Sequence, residues 1–327
     1  MSPYNSTTRQ ACVIDCDTGR DDALAILVAR RLDLTLAAVV TSYGNVDVEQ
    51  VTDNTRRVLH LQQVAEVPVF VGAAHPSRHH LGIETVVKPR QATIGNGICN
   101  IALPQPDRPG IPMMGKIERA RAIAAIAERQ GRLNYIILGP ATNFAELCEV
   151  LGPSLGHSIA SVTMMGGKFD QMWTTAPQAD FNLACDPFAV RQLLACGIET
   201  RFVPINATWP IFLTLPEIEQ LTATSPIGLF AKELMLAHCR YFAPEPVFRF
   251  HDPCAVLAAL NPDFFIDAAL DIICDESDPQ FGRLIDKDDG FKAKICNSAI
   301  DFRDQFLKKL LFLLDLSWPT VGKYEDA

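Results

Sequence analysis

Five short runs of nearly uninterrupted apolar residues limit how this chain can fold: ACVI at 11–14, LTLAAVVT at 34–41, VPVFVG at 67–72, YIIL at 135–138 and SVTMM at 161–165. A strand with one wet face alternates apolar and polar residues, whereas a strand covered on both faces does not. These runs therefore predict the interior of a covered sheet. Several intervening segments carry helical periodicity, the first at 22–32 (DALAILVARRL), where an Asp in the first turn suits the positive end of the helix dipole. Strand and helix in alternation predict an α/β fold, an open, mostly parallel sheet flanked by helices. With 327 residues, 48% of them hydrophobic, the chain can bury a large core. No composition shift or low-complexity tract marks a linker, so 11–327 reads as a single domain behind a polar, flexible N-terminus at 1–10. PEIEQL (216–221) and GLFAKELMLAHCRYF (228–242) predict a small helical cap over one edge of the sheet. The last quarter predicts strands at 270–275 and 293–298 and a helix at 301–316.

Composition narrows the function. The formal net charge is -9 and Lys and Arg do not cluster, which argues against a nucleic-acid partner. The start, MSPYNSTTRQ, lacks the apolar centre of a secretory signal, and no run approaches bilayer-spanning length, so a cytoplasmic protein with no membrane partner is expected. The ten cysteines form no C-x-x-C pair and stand mostly in apolar runs (Cys12, Cys196, Cys254, Cys274), as reduced core thiols do. Cys16 lies among acids, which raise a thiol pKa and count against it as a nucleophile.

Those acids carry the chemistry. VIDCDTGRDDALAI (13–26) places Asp15, Asp17, Asp21 and Asp22 within eight positions between the first strand and the first helix. In an open α/β sheet that is the C-terminal end of a strand, where ligands bind. Carboxylates so close suit a hard divalent cation, calcium or magnesium, whose charge removes their repulsion. A solvated acidic turn with an N-capping Asp explains the same letters. An EF-hand is excluded, since Arg20 stands where its loop needs Gly and Ile26 where it needs a bidentate Glu. The irregular stretches 72–115, 166–180 and 205–215 are expected to line or cover a site.

DCDTGRDDALAI resembles the D-x-D-x-G-x-D-D signature of the inosine-uridine-preferring nucleoside hydrolases, which are calcium-dependent N-ribohydrolases. TSYGN (41–45), VPVFVGAAHP (67–76), LGPATN (138–143), MMGG (164–167), DFNLACDPFAV (180–190) and HDPCAV (251–256) match further segments in the family's order. The resemblance implies that Asp17, Asp22, Asp252 and the backbone carbonyl of Leu138 hold Ca2+. It implies that Asp17 also takes the proton of the attacking water, that His251 protonates the leaving base, and that Asp15 braces the loop. Asp21, Asn45 and Asn182 would bind the ribose hydroxyls. The implied reaction is metal-dependent hydrolysis of the N-glycosidic bond of a ribonucleoside, standard or modified, to ribose and free base, in nucleoside salvage, by a homodimer or homotetramer. Negative charge around the sugar would stabilise an oxocarbenium-like transition state. The alternatives are a member turned to another ribosyl or modified-sugar substrate, and a calcium-stabilised binding protein without turnover.

Departures fall in two places. Asp180 stands where the family usually has Glu, and Thr174 is the nearest counterpart of an Asn; both would grip the 5' side of the ribose. On the base side Thr93 stands at about the place of a family histidine, with His75, His79 and His80 upstream. Trp173, Tyr241, Phe242 and Phe248 are candidates to stack on a base. Asp186-Pro187 and Asp252-Pro253 both read as N-cap followed by proline at the first helical position. Only the resemblance assigns Asp252 to the metal and leaves Asp186 as a cap.

Overall fold

In a computed structural model of the chain, the described residues are 11–32, 35–64, 66–81, 95–106, 113–168, 180–242, 246–260, 265–275, 283–297 and 303–319. The five apolar runs become β1 (Ala11–Cys16), β2 (Thr35–Thr41), β3 (Val69–Val71), β4 (Leu133–Ile137) and β5 (Ile159–Met165). β6 (Glu199–Val203), β7 (Ile266–Asp275), β8 (Arg283–Asp286) and β9 (Phe291–Asn297) extend the same sheet. Its order is β8-β7-β9-β6-β5-β4-β1-β2-β3. Among the described residues antiparallel pairing in this sheet is confined to β7 with β8 and β9; the other neighbours pair in parallel, as expected.

The helices are, in chain order, α1 (Arg20–Arg31), α2 (Val48–Leu61), α3 (Lys116–Gln130), α4 (Thr142–Leu151), α5 (Phe181–Cys185), α6 (Pro187–Ala195), α7 (Leu215–Gln220), α8 (Pro226–Tyr241), α9 (His251–Leu260) and α10 (Arg303–Leu313), besides shorter turns. They cover both faces of the sheet. Along β1, Cys12, Ile14 and Cys16 enter a core shared with α1, α2, α8, α9 and α10, while Ala11 and Val13 enter a second core with α3, α4 and α6. Period-two alternation thus delivers apolar side chains to two dry layers, which is why the run is continuous.

α1 is buried at every position from Asp22 to Ala29. A helix apolar on all sides needs partners on all sides, and a second helical layer supplies them. Phe230, Ala231, Leu234 and Met235 of α8 share the core of α1 and α9. The helical cap expected over a sheet edge therefore packs as a layer in the core of α1. No helix among the described residues is long and apolar enough to cross a membrane.

The strand order fixes the place of the site. From β1 the chain proceeds to β2 and β3 on one side, then returns to β4 on the other side of β1. The loops after β1 and β4 therefore diverge and leave a crevice at the carboxyl ends of these two strands.

Candidate active site

The acidic loop lies at this crevice, and strand alternation divides its aspartates. Asp15 points to the α3/α4 side, where it accepts hydrogen bonds from Tyr135 Oη (3.0 Å) and Asn143 Nδ2 (2.8 Å). Burial pushes its carboxyl up to about 7, against the pull of these two donors. Asn143 also donates to the Thr41 carbonyl and accepts from Ala73 N, so it ties the ends of β1, β2 and β3 to the start of α4. Asp15 faces this network and braces the loop.

Asp17, the next residue past the strand, is also buried. Asn45 N donates to its Oδ2 at 2.7 Å. Its carboxylate is flanked by two glycines from different loops: a Cβ at Gly44 would lie 2.0 Å from Asp17 Oδ2, and one at Gly139 2.8 Å from Oδ1. Only glycine permits that approach. Asp22, in the first turn of α1, accepts from Gly19 N (2.9 Å) and Asn45 Nδ2 (3.2 Å) on one oxygen. Its other oxygen is buried without a hydrogen-bond partner.

Asp252, in the first turn of α9, completes the group: Asp21, Asp22 and Asp252 offer oxygens within 4.8 Å of one another. Asp17 adjoins them: the charge of Asp22 acts on its carboxylate, and Asn45 bonds to both. Burial pushes the Asp22 carboxyl up to about 7, with the charge of Asp21 adding to it. Burial raises Asp17 and Asp252 well above the usual carboxylate range, and the neighbouring acids raise them further. Carboxylates buried against one another carry a cost that a cation removes. An all-oxygen donor set and the partnerless Asp22 oxygen fit a hard divalent cation. The Leu138 carbonyl belongs to the same turn as Gly139 and accepts from Asn182 Nδ2 at 2.6 Å, which leaves it a second lone pair.

The two Asp-Pro pairs separate here. Asp186 is the N-cap of α6 and accepts from Ala189 N, as expected. Asp252 is not a cap, because α9 already begins at His251. A local pattern cannot distinguish them; the packing of α9 against α1 does, by aiming Asp252 at Asp21 and Asp22.

The expected ribose ligands are strongly engaged by the protein. Asn45 donates to the Asp17 carbonyl and to Asp22, and Asn182 donates to the carbonyls of Leu138 and Met165. Asp180 caps α5: it accepts from Asn182 N at 3.0 Å and from the backbone N–H groups of Leu183 and Gly167. Its shorter side chain thus fastens the turn after β5 to α5. Thr174, Thr93 and Trp173 lie outside the described residues.

His251 sits beside the acids, with its Nδ1 2.6 Å from Thr208 Oγ1. Burial holds its pKa below the ordinary value, Arg249 adding to the effect and Asp21 opposing it. Thr208 was not predicted. It lies in a turn with no motif, and only the fold brings it to His251. His75 stacks on His79, with ring centroids 4.2 Å apart. Phe248 is a core residue, because the Phe212–Thr214 and Val247–Arg249 ribbon buries it, so it is unavailable to a base. Tyr241 is exposed, and Phe242 carries the Arg20 guanidinium 5.3 Å from its ring centroid. Cys16 is buried and its thiol pKa is raised by burial and by Asp22, so it is inert; Cys196, expected in the core, is partly exposed at the end of α6.

Three comparisons bear on this arrangement. The family model described as inosine-uridine preferring nucleoside hydrolase matches residues 12–307. The chain is 30% identical over 263 residues to the pyrimidine-specific ribonucleoside hydrolases RihA of Salmonella paratyphi A and Salmonella agona, a match covering 77% of this chain and 80% of each relative. Its fold is similar to that of a plant nucleoside hydrolase, the PpNRh1 enzyme (TM-score 0.82, 23% identity, 94% of this chain and 99% of that one). It is also similar to that of the purine-preferring ribonucleoside hydrolase from Gardnerella vaginalis (TM-score 0.80, 24% identity, 94% and 98%).

Proposed function

Because this chain belongs to the inosine-uridine preferring nucleoside hydrolase family, it is an N-ribohydrolase, and we propose that it uses Ca2+ held by its acidic loop to split a ribonucleoside into ribose and free base. The observation that carries this reading is the cluster of partly exposed Asp21 with buried Asp22 and Asp252, and Asp17 against it, at the switch point of the sheet. Asp17, Asp22, Asp252 and the Leu138 carbonyl would hold the ion, and Asp21 would take a ribose hydroxyl. When bound, such a cation acidifies a water and fastens the sugar diol. Asp17 would accept the proton of the attacking water, a task to which a carboxylate is chemically suited. The negative field of the cluster stabilises positive charge developing on the ribose. His251, tethered by Thr208, faces the base side and passes a proton to the leaving group.

Asn45 and Asn182 act on the sugar from their places beside Asp22 and Leu138, and Asp180 governs its 5' side indirectly, through the turn that it fastens. The protein works in the cytoplasm as a homo-oligomer. The pyrimidine preference named for the RihA relatives makes uridine and cytidine the first substrates to try. Free base should be released from one of uridine, cytidine, inosine or adenosine with calcium present. Release should stop after chelation and in Asp17→Ala, which should also bind calcium more weakly. Calcium binding without base release from any nucleoside would overturn the reading in favour of a binding protein. Full activity in Asp17→Ala would remove that residue's two roles.

A further inference from the structure

Asp186 makes more bonds than a helix cap needs. Its cap bond is the one from Ala189 N, at 3.0 Å. The same buried carboxylate also accepts from Ser77 N (2.7 Å), Ser77 Oγ (2.9 Å) and Thr142 Oγ1 (2.8 Å). Ser77 follows β3 and Thr142 opens α4 after β4. Tyr43, from the loop after β2, reaches the same point: its hydroxyl lies 3.2 Å from Thr142 Oγ1 and donates to the Cys185 carbonyl at 3.1 Å. Three loops at the carboxyl ends of strands thus converge on the junction between α5 and α6.

The loops after β2 and β4, and α5, also carry parts of the site. Next to Tyr43 are Gly44 and Asn45, which hold Asp17. Next to Thr142 is Asn143, which holds Asp15, and the same turn carries Leu138 and Gly139. α5 carries Asn182, bonded to the Leu138 carbonyl. Hydrogen bonds to a buried carboxylate are charge-assisted and directional, so they fix positions as well as hold segments together.

We propose that Asp186 is a positioning residue for the hydrolytic reaction, clamping the loops after β3 and β4 through Ser77 and Thr142 so that the Leu138–Gly139 turn keeps its place against Asp17. It acts through these neighbours and does not itself meet the substrate. The proposal rests on the hydrolase reading above.

The decisive comparison is Thr142→Val against Thr142→Ser. Valine keeps the shape of threonine and removes the hydroxyl that reaches Asp186, while the cap bond from Ala189 survives; serine keeps the hydroxyl. Ser77→Ala removes a different arm. Thr142→Val and Ser77→Ala should each lower kcat about 10-fold to 100-fold, as misplacement of a site by about 1 Å does. KM should change less, and the melting temperature should stay near that of the wild type. Calorimetric titration should show weaker calcium binding by Thr142→Val, with Thr142→Ser close to wild type in both measurements. Wild-type kinetics and calcium affinity in both Thr142→Val and Ser77→Ala would overturn the clamp. So would losses that follow only the melting temperature. If the wild type releases no base, the hydrolase reading fails by itself, and the calcium titrations still decide the clamp.

Discussion

At the scale of single residues the site is governed by how closely groups approach. Asp17 is wedged between Gly44, against its Oδ2, and Gly139, against its Oδ1, and Asn45 N holds Oδ2. A methyl at position 44 would fall inside the contact distance of Asp17 Oδ2, so Gly44→Ala must displace the carboxylate. We expect calcium affinity to fall about 10-fold to 100-fold, the usual effect of disturbing the groups that orient metal ligands, with turnover falling alongside. Titration calorimetry and base release read the two effects. His251 depends likewise on one neighbour. Thr208→Val removes its hydrogen bond, and the rate should drop most for nucleosides with poorly leaving bases, measured as kcat across such a series. The acidic loop was legible in the letters because four acids between an apolar run and a helix form a local pattern. Thr208 was not, because nothing in INATWP (205–210) marks it as a partner of a residue 43 positions away.

At the scale of elements, one short helix and one buried helix hold the site in place. α5 has five residues and depends on its cap. Asp180 supplies that cap and also ties down the turn after β5. Lengthening the side chain in Asp180→Glu therefore costs cap geometry as well as changing reach. We expect a lower melting temperature, by the equivalent of about 1 kcal/mol, together with altered kinetics on ordinary ribonucleosides. Unchanged stability would show that the cap contributes little. α1 carries Asp21 and Asp22 at its start, and burial along its length holds them fast. Leu24→Ala should cost about 2–5 kcal/mol in denaturant unfolding, as for other fully buried leucines. The strands and α1 were legible because their patterns have short periods. The place of α8 was not, since periodicity gives a helix its buried face without naming what it faces.

Across the whole molecule the acids couple folding to pH and to the cation. The folded Asp22 pKa of about 7 exceeds its ordinary value of 3.8, and Asp17 and Asp252 are raised as well. Between about pH 4 and pH 7 the metal-free fold therefore binds more protons than the unfolded chain, and its stability should fall as pH rises through that window. A divalent cation needs these groups deprotonated, so calcium should raise the melting temperature more at pH 8 than at pH 5. Melting curves with and without a chelator at both pH values test the sign; a pH-independent increment would contradict it.

The amino-acid sequence determined the layered α/β fold and set an acidic loop at the end of its first strand, because apolar runs, helical periods and clustered charges act over a few residues. Tertiary structure decided which of two Asp-Pro pairs joins the acids, gave Asp186 its extra partners and brought Thr208 to His251. Those choices depend on strand order. The reversal between β1 and β4 brings together loops far apart in the chain, and no local pattern encodes which loops will meet.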